Sequence, residues 1–162
     1  MTSVLSDYSE QQNASTHQAS GTVLAFDFGA KRIGVAVGDT VLKLAHPLKT
    51  IHSEKNDQRF AMIQELIDNW RPVLLVVGLP SHSDGTAHEM TRLSQRFARR
   101  LAGRFNIHVL LVDERYTSKT ASASLHQAGV PGKKHKQFLD QVAAQQILQS
   151  YFDESEPRHV IA

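Results

Sequence analysis

Short apolar and alternating segments near the start of the chain predict three strands joined by tight turns. Residues 22–28 form the strongest segment, residues 33–37 follow after a glycine-containing turn, and residues 41–45 alternate weakly. Segments this close together are typical of β-hairpins, because an antiparallel pair needs only a few residues in its turn. The pattern therefore predicts an antiparallel meander over this part of the chain.

Further along the chain, the apolar spacing changes from that of a strand to that of a helix. Apolar positions from Phe60 to Trp70 predict a first helix, which Pro72 prevents from continuing. Apolar positions from Met90 to Leu101 predict a second helix, which ends at Gly103.

Two continuous apolar runs, at residues 73–77 and 109–112, predict strands that are buried on both faces. Two further helices are predicted over residues 118–128 and 137–152. Three close strands, followed by helices that alternate with strands, describe an α/β fold. We therefore expect a five-stranded mixed sheet flanked by helices.

The domain organisation follows from length and local composition. A chain of 162 residues favours one compact domain. Residues 1–20 are rich in Ser, Gln and Thr without apolar periodicity, which predicts a disordered N-terminal extension. Residues 21–152 are then the folded domain, and residues 153–162 are a C-terminal tail.

Composition excludes several classes of protein. The chain has no cysteine, so disulfides, thiol nucleophiles and cysteine-ligated zinc are absent. The longest apolar run, at residues 73–77, is far too short to cross a bilayer. The N-terminus also lacks the basic and apolar pattern of a secretory signal. These features predict a cytoplasmic protein with no membrane partner.

The net charge of +2 conceals an uneven distribution. Residues 1–20 and 153–162 each carry −2, which leaves +6 on residues 21–152. A basic folded domain favours an anionic partner, for which nucleic acid is the usual candidate. An ordinary soluble surface explains the same number equally well, so charge alone does not decide.

The most informative residues are carboxylates in apolar surroundings. Asp27 interrupts an apolar strand and shares a face with Val23 and Ala25. An ionised carboxylate buried there needs a cation, strong donors or a proton. A satisfied structural role and a functional role are both open for this residue.

Other acids occur where ligands gather in α/β folds. Asp113 and Glu114 end the last apolar strand, at the edge of a parallel sheet where ligands bind. Since consecutive strand residues point to opposite faces, only one of the two faces Asp27; the longer arm favours Glu114, and both remain open. Asp140 shares a helical stripe with Ala143 and Ala144, which predicts an inward-pointing acid on a helix close to the sheet.

Three acids on three separate elements point to metal chemistry more strongly than any one of them. Oxygen-only ligands suit Mg²⁺ or Mn²⁺ rather than zinc. Two such ions about 4 Å apart can activate a water and stabilise the leaving oxygen of a phosphodiester. We therefore predict that Asp27, Asp113, Glu114 and Asp140 hold two divalent ions.

Basic residues flank each of these acids along the chain. Lys31 and Arg32 follow Asp27, and Arg115 follows Glu114. A denser cluster at residues 133–136 is predicted to lie in a Gly/Pro loop just before Asp140. An anionic substrate needs such cations, although ordinary ion pairing also explains them. The candidate nucleic-acid contacts are Lys31, Arg32, Arg115, Lys133, Lys134 and Lys136.

Four motifs across residues 21–152 resemble the YqgF/RuvX family of bacterial proteins. They are DFGAKRIGVA at residues 27–36, VGLP at 77–80 with DGT at 84–86, DER at 113–115, and Asp140 followed by Ala143-Ala144. The resemblance implies an RNase H-like fold and divalent-metal-dependent cleavage of phosphodiesters. It also implies that Asp27, Glu114 and Asp140 are the catalytic acids, with Asp113 adjacent.

The resemblance implies an endonuclease that acts on structured nucleic acid, with maturation of the 5′ end of pre-16S rRNA as the leading function. Resolution of Holliday junctions is the alternative, and it would require a homodimer because two cuts need two sites. RNA trimming is also compatible with a monomer. Two other hypotheses remain. One is a nucleic-acid adaptor whose acids hold only structural metal. The other is an ATP-dependent phosphotransferase, but such enzymes need a second similar domain, for which the chain is too short.

Overall fold

A single mixed sheet forms the centre of the computed structural model, which describes residues 20–80, 85–113, 132–154 and 159–161. Side chains at residues 85–88, 132–135 and 159–161 lie outside this description. The strands are β1 (Thr22–Phe28), β2 (Arg32–Asp39), β3 (Ala45–His52), β4 (Leu74–Leu79), β5 (Val109–Asp113) and β6 (His159–Ile161). The helices are α1 (Asn56–Trp70), α2 (Gly85–Phe105) and α3 (Gly132–Asp153).

The sheet order is β3-β2-β1-β4-β5-β6. Strands β1, β2 and β3 pair antiparallel, which confirms the predicted meander, and β4 and β5 run parallel to β1. Strands β4 and β5 are buried along nearly their whole length, as continuous apolar runs require. The predicted mixed α/β sheet is therefore confirmed.

The third strand begins at Ala45 rather than at Val41, because residues 40–43 form a turn. The Asp39 carboxylate accepts hydrogen bonds from the backbone N–H groups of Val41 and Leu42, at 2.7 and 3.3 Å. Lys43 then adopts a left-handed backbone, with φ of 53°. The weak alternation of residues 41–45 is therefore not a strand signal, and side-chain capping by Asp39 competes with sheet pairing there.

Two hydrophobic layers cover the sheet. Helices α1 and α2 pack on one face, where Phe60 and Phe97 join Phe26 of β1 in the larger core. Helix α3 packs on the other face, where Ile147 and Leu148 cover the small core that contains Val23, Ala25 and Val76. We call these the α1/α2 face and the α3 face.

Two helix boundaries differ from the sequence expectation. Helix α2 continues through the exposed Gly103 to Phe105, and it ends where Asn106 adopts a φ of 53° and donates its N–H to Ala102 O. Helix α3 begins at Gly132, so residues 133–136 lie in its first turns rather than in a loop. No helix-breaking residue follows Gly132, and nothing in the sequence stops the helix from starting there.

A short sixth strand extends the sheet beyond β5. Residues 159–161 pair antiparallel with β5, with Ile161 opposite Val109 and His159 opposite Leu111. These residues belong to the predicted C-terminal tail, and three residues are too few to show a strand pattern. The pairing covers the edge that β5 would otherwise present.

Two predicted segments lie outside the described residues: the helix over residues 118–128 and all but the last residue of the N-terminal extension. In the part of the chain that the structure describes, no helix combines the length and the apolar character needed to span a bilayer.

Candidate active site

Asp27 lies near the carboxyl end of β1, one of the central strands. It is half-buried, and the alternation of β1 places it on the α3 face with Val23 and Ala25. Its cross-strand partner in β2 is Gly34. Directly paired residues of antiparallel strands have Cα atoms about 4.5–5.5 Å apart, so whatever lies on Gly34 lies close to Asp27.

The backbone of helix α3 lies directly on Gly34. A Cβ atom built at Gly34 would come within 1.9 Å of the carbonyl oxygen of Asp140 and 2.4 Å of its carbonyl carbon. Both are backbone atoms, so no side chain larger than hydrogen fits at this position. Gly34 is therefore the point at which the sequence-distant Asp27 and Asp140 approach each other.

Small residues allow α3 to lie this close to the sheet. Ala143 and Ala144 follow Asp140 by about one turn, and both are buried. This confirms the expectation that these alanines bring the helix against the sheet. Asp140 itself lies a little over two turns into the helix, further from its start than predicted, because the helix begins at Gly132.

A row of glutamines at four-residue spacing fastens the same helix to the edge strand β3. Gln141 Nε2 donates to Thr50 Oγ1 at 3.2 Å, and Gln145 Nε2 donates to the carbonyl of Ala45 at 2.9 Å. Gln149 Oε1 accepts the backbone N–H of Ala45 at 3.1 Å. The regular i, i+4, i+8 spacing of these glutamines is a sequence signal for this row that was not among the predictions.

Arg32 contacts the Asp140 carboxylate. Its Nε lies 2.7 Å from Asp140 Oδ2, and the two side chains are 35% and 20% exposed. Arg32 begins β2, so the strand that carries Gly34 also carries the cation that holds Asp140. The contact engages one of the two carboxylate oxygens and orients the group, whereas its contribution to stability is small at this exposure.

Asp113 lies on the other side of the sheet from Asp27. In β5, Val109 and Leu111 pack in the core of the α1/α2 face, whereas Leu110 and Val112 pack in that of the α3 face. The alternation of the strand therefore places Asp113 on the α1/α2 face.

The remaining predicted site residues are described in part or not at all. Glu114 and Arg115 lie outside the described residues, as do the side chains of Lys133 and Lys134 in the first turn of α3. Lys31 directly precedes Arg32 in the chain, and Lys136 lies about one helical turn before Asp140. Both lysine side chains are exposed. Within the described ranges, no three His, Asp or Glu side chains group closely enough to hold a metal ion.

Asp27 and Asp140 nevertheless carry the oxygen donors that a hard divalent cation prefers. Asp27 and Asp140 supply only oxygen atoms, and the half-buried setting reduces competition from water. The residues present therefore fit Mg²⁺ or Mn²⁺ better than a metal that prefers nitrogen or sulfur ligands.

A buried arginine behind the site supports the turn that follows Asp27. Arg59 of α1 is only 4% exposed, and its Nη2 donates to the carbonyls of Gly29 and Ala30, both at 2.7 Å. Its Nε donates to the carbonyl of Ser53. Burial lowers the pKa of the Arg59 guanidinium, and the nearby Glu54 carboxylate opposes this effect. This role was not predicted, and its one sequence signal is an arginine inside the apolar pattern of α1.

Replacing Arg59 with Met is expected to lower the free energy of unfolding by about 2–3 kcal/mol. The three carbonyl groups lose their shared donor, and a buried acceptor without a partner is costly. Urea unfolding measures the change, and the exposed Arg99→Met is the matched control, with an expected change within about 0.5 kcal/mol. Equal effects at the two positions would contradict the supporting role of Arg59.

The strand order and the two helical layers define an RNase H-like fold. A solved structure with similar architecture is "T. thermophilus RuvC in complex with Holliday junction substrate", with a TM-score of 0.51 and 16% sequence identity. The match covers 82% of this chain and 93% of that chain. At this identity the similarity concerns the fold alone.

Sequence comparisons give the family. A family model described as "RuvX: Holliday junction resolvase" matches residues 21–154. A protein of Nitrosomonas europaea is 61% identical over 138 residues, which cover 85% of this chain and 93% of the relative. A protein of Nitrosospira multiformis is 56% identical over 145 residues, with coverage of 90% and 96%. Both relatives are named "Putative pre-16S rRNA nuclease".

The chain therefore belongs to the RuvX family, a family of enzymes that cleave phosphodiester bonds in nucleic acids. This confirms the resemblance found in the sequence motifs. It also excludes the phosphotransferase reading.

Proposed function

We propose that this protein is a divalent-metal-dependent endonuclease that matures the 5′ end of pre-16S rRNA in the cytoplasm. The observation that supports the proposal is that the backbone of Asp140 lies against Gly34, the cross-strand partner of Asp27 near the end of a central strand. The names of the relatives support the choice of substrate.

Asp27 and Asp140 are the proposed metal ligands in the described part of the chain. Glu114 is the proposed third ligand and catalytic acid, since the alternation of β5 favours the residue after Asp113 for the α3 face. Asp113 is left with a supporting role. Two bound ions would supply Lewis-acid activation of the attacking water and charge stabilisation of the leaving oxygen.

The basic residues around these acids are the proposed contacts with the substrate backbone. Lys31 and Lys136 are exposed and can reach phosphates, whereas Arg32 also orients Asp140. Arg115, Lys133 and Lys134 complete the proposed set. Phosphate contacts of this kind position a nucleic acid without reading its sequence, so they favour recognition of structure.

Holliday junction resolution is the second candidate, because the matching family model carries that description. A resolvase must make two symmetric cuts and therefore requires a homodimer, whereas a 5′-end nuclease can act as a monomer. A monomeric protein under assay conditions would therefore exclude the resolvase candidate independently of cleavage, whereas a homodimer is compatible with both candidates.

A direct assay compares an RNA spanning the 5′ end of the 16S precursor with a four-way DNA junction, each with Mg²⁺ or Mn²⁺. We expect the RNA to be cut at least about tenfold faster, which corresponds to about 1.4 kcal/mol of transition-state discrimination. EDTA should abolish cleavage of both substrates, because the proposed ligands require a divalent ion.

Each other outcome of this assay contradicts the proposal. Faster cutting of the junction by a dimeric protein would support a resolvase. Salt-sensitive binding of either substrate without cleavage would support a nucleic-acid adaptor whose acids hold only structural metal.

A further inference from the structure

A cleft of about 150 Å³ opens on the α1/α2 face, whereas Asp27 lies on the α3 face. Its walls come from α1 and α2, which contribute three arginines: Arg59, Arg96 and Arg100. Phe28 and Phe97 add an aromatic surface to the lining, with ring centroids 4.9 Å apart. The cleft therefore combines three cations with an apolar floor.

The positive charge in this cleft is not neutralised by its own lining. No lining residue is an acid, and neither Arg96 nor Arg100 makes an ion pair within the described ranges. Arg59 lies with its guanidinium carbon 5.4 Å from the centre of the Phe28 ring, and it donates to neutral carbonyls. The one acid that acts on Arg59, Glu54, does not line the cleft. Three guanidinium groups around one space favour an anion that can bridge them.

The position of the cleft relates it to the candidate active site. Phe28 directly follows Asp27, so the two side chains leave β1 on opposite faces of the sheet at the same end of the strand. Arg59 joins the two regions, because it lines the cleft and also holds the turn after Asp27. A nucleic-acid strand that crosses this end of the sheet could reach both sides.

We propose that this cleft binds a backbone phosphate of the nucleic-acid substrate, a few nucleotides from the bond that is cut. The inference rests on the proposed function for the identity of the strand. Arg96 and Arg100 make the contact with their planar guanidinium groups, and Arg59 supplies positive potential from the buried end. Arg96 and Arg100 of α2 therefore form the docking surface of the cleft.

The test compares Arg96→Ala/Arg100→Ala with Arg92→Ala/Arg99→Ala, which removes the same charge from exposed positions of α2 outside the cleft. Binding of a labelled precursor RNA is measured by fluorescence anisotropy in EDTA, so that no turnover occurs. We expect the cleft variant to raise the Kd about 5- to 50-fold at ~0.1 M salt, and the control variant to change it less than about twofold.

The salt dependence of binding gives a second readout. If the one single-strand phosphate contact of the cleft is lost, the slope of log K against log salt should fall in magnitude by about 0.7. Equal slopes for the two double variants would overturn the proposal, because the cations would then act only through overall charge. Melting temperatures confirm that both variants fold, and Arg96→Ala alone is the fallback because Arg96 is exposed.

A titration with inorganic phosphate distinguishes a small-anion site from a strand-binding site. If the cleft variant loses phosphate binding but retains RNA binding, the cleft serves a free anion and the proposal fails. A failure of the proposed function would look different. The wild-type protein would not cleave the RNA, but the cleft variant would still bind it more weakly than the control variant. If the wild-type protein cleaves the RNA and the cleft variant binds it with unchanged affinity, the phosphate-binding role of the cleft is refuted and the proposed nuclease function stands.

Discussion

Asp27→Asn should abolish metal-dependent cleavage while leaving the fold intact. An amide matches the shape of the carboxylate but lacks its charge, so the proposed divalent site loses a ligand. We expect kcat to fall at least about a thousandfold, which corresponds to several kcal/mol of lost transition-state stabilisation. Single-turnover cleavage of the precursor RNA measures the loss.

Metal-dependent thermal stabilisation separates a lost ligand from a disturbed fold. Mn²⁺ should raise the melting temperature of the wild-type protein and have little effect on Asp27→Asn, because a ligand that binds only the native state stabilises it. Asp68→Asn is the matched control, since Asp68 is exposed on α1 and the charge change is the same. Cleavage that persists in Asp27→Asn would remove this residue from the site.

Gly34→Ala should damage both stability and activity. The new methyl group would lie closer to the backbone of Asp140 than non-bonded atoms can approach, so helix α3 must move away from β2. We expect a loss of at least about 3 kcal/mol of unfolding free energy, at the upper end of the usual cost of overpacking. Because Asp140 would move away from Asp27, cleavage should fall even at temperatures where the variant is fully folded.

Gly103→Ala is expected to change the free energy of unfolding in the opposite direction from Gly34→Ala. Nothing lies within 4 Å of a Cβ at Gly103, and the residue is exposed within α2. Alanine there should stabilise the protein by about 0.5–1 kcal/mol, because it restricts the unfolded chain and favours the helix. Urea unfolding of the two variants measures both effects. A Gly34→Ala protein as stable and active as the wild type would show that α3 does not lie on β2 at this point.

Local sequence patterns were sufficient for most of the secondary structure. The apolar run at residues 73–77 predicted β4 because a strand buried on both faces requires apolar side chains at every position. The stripe from Phe60 to Trp70 predicted α1 because only one side of that helix faces the core.

The errors in secondary structure occurred where local patterns were weak or competed. Capping by Asp39 outweighed the strand-like alternation after it, so β3 began later than predicted. The three residues of β6 carried too little pattern of their own, and their pairing depends on the edge offered by β5.

Carboxylates in apolar surroundings identified the candidate acids, the family motifs matched them, and alternation placed Asp27 among buried neighbours on one face of β1. The same sequence left open which of Asp113 and Glu114 faces Asp27. The strand alternation in the structure assigns Asp113 to the α1/α2 face, whereas Glu114 lies outside the described residues. Its role in the site remains a proposal.

The sequence by itself determined the class of fold, the order of its main elements and the chemical type of the candidate site, because these depend on neighbouring residues and recognisable motifs. Only the tertiary structure decided that Asp140 lies on Gly34, that Arg32 holds its carboxylate, and that Arg59 supports the turn beyond Asp27. These contacts join residues that are distant in the chain. They depend on strand register and on how closely a helix approaches the sheet, and no local pattern encodes either distance.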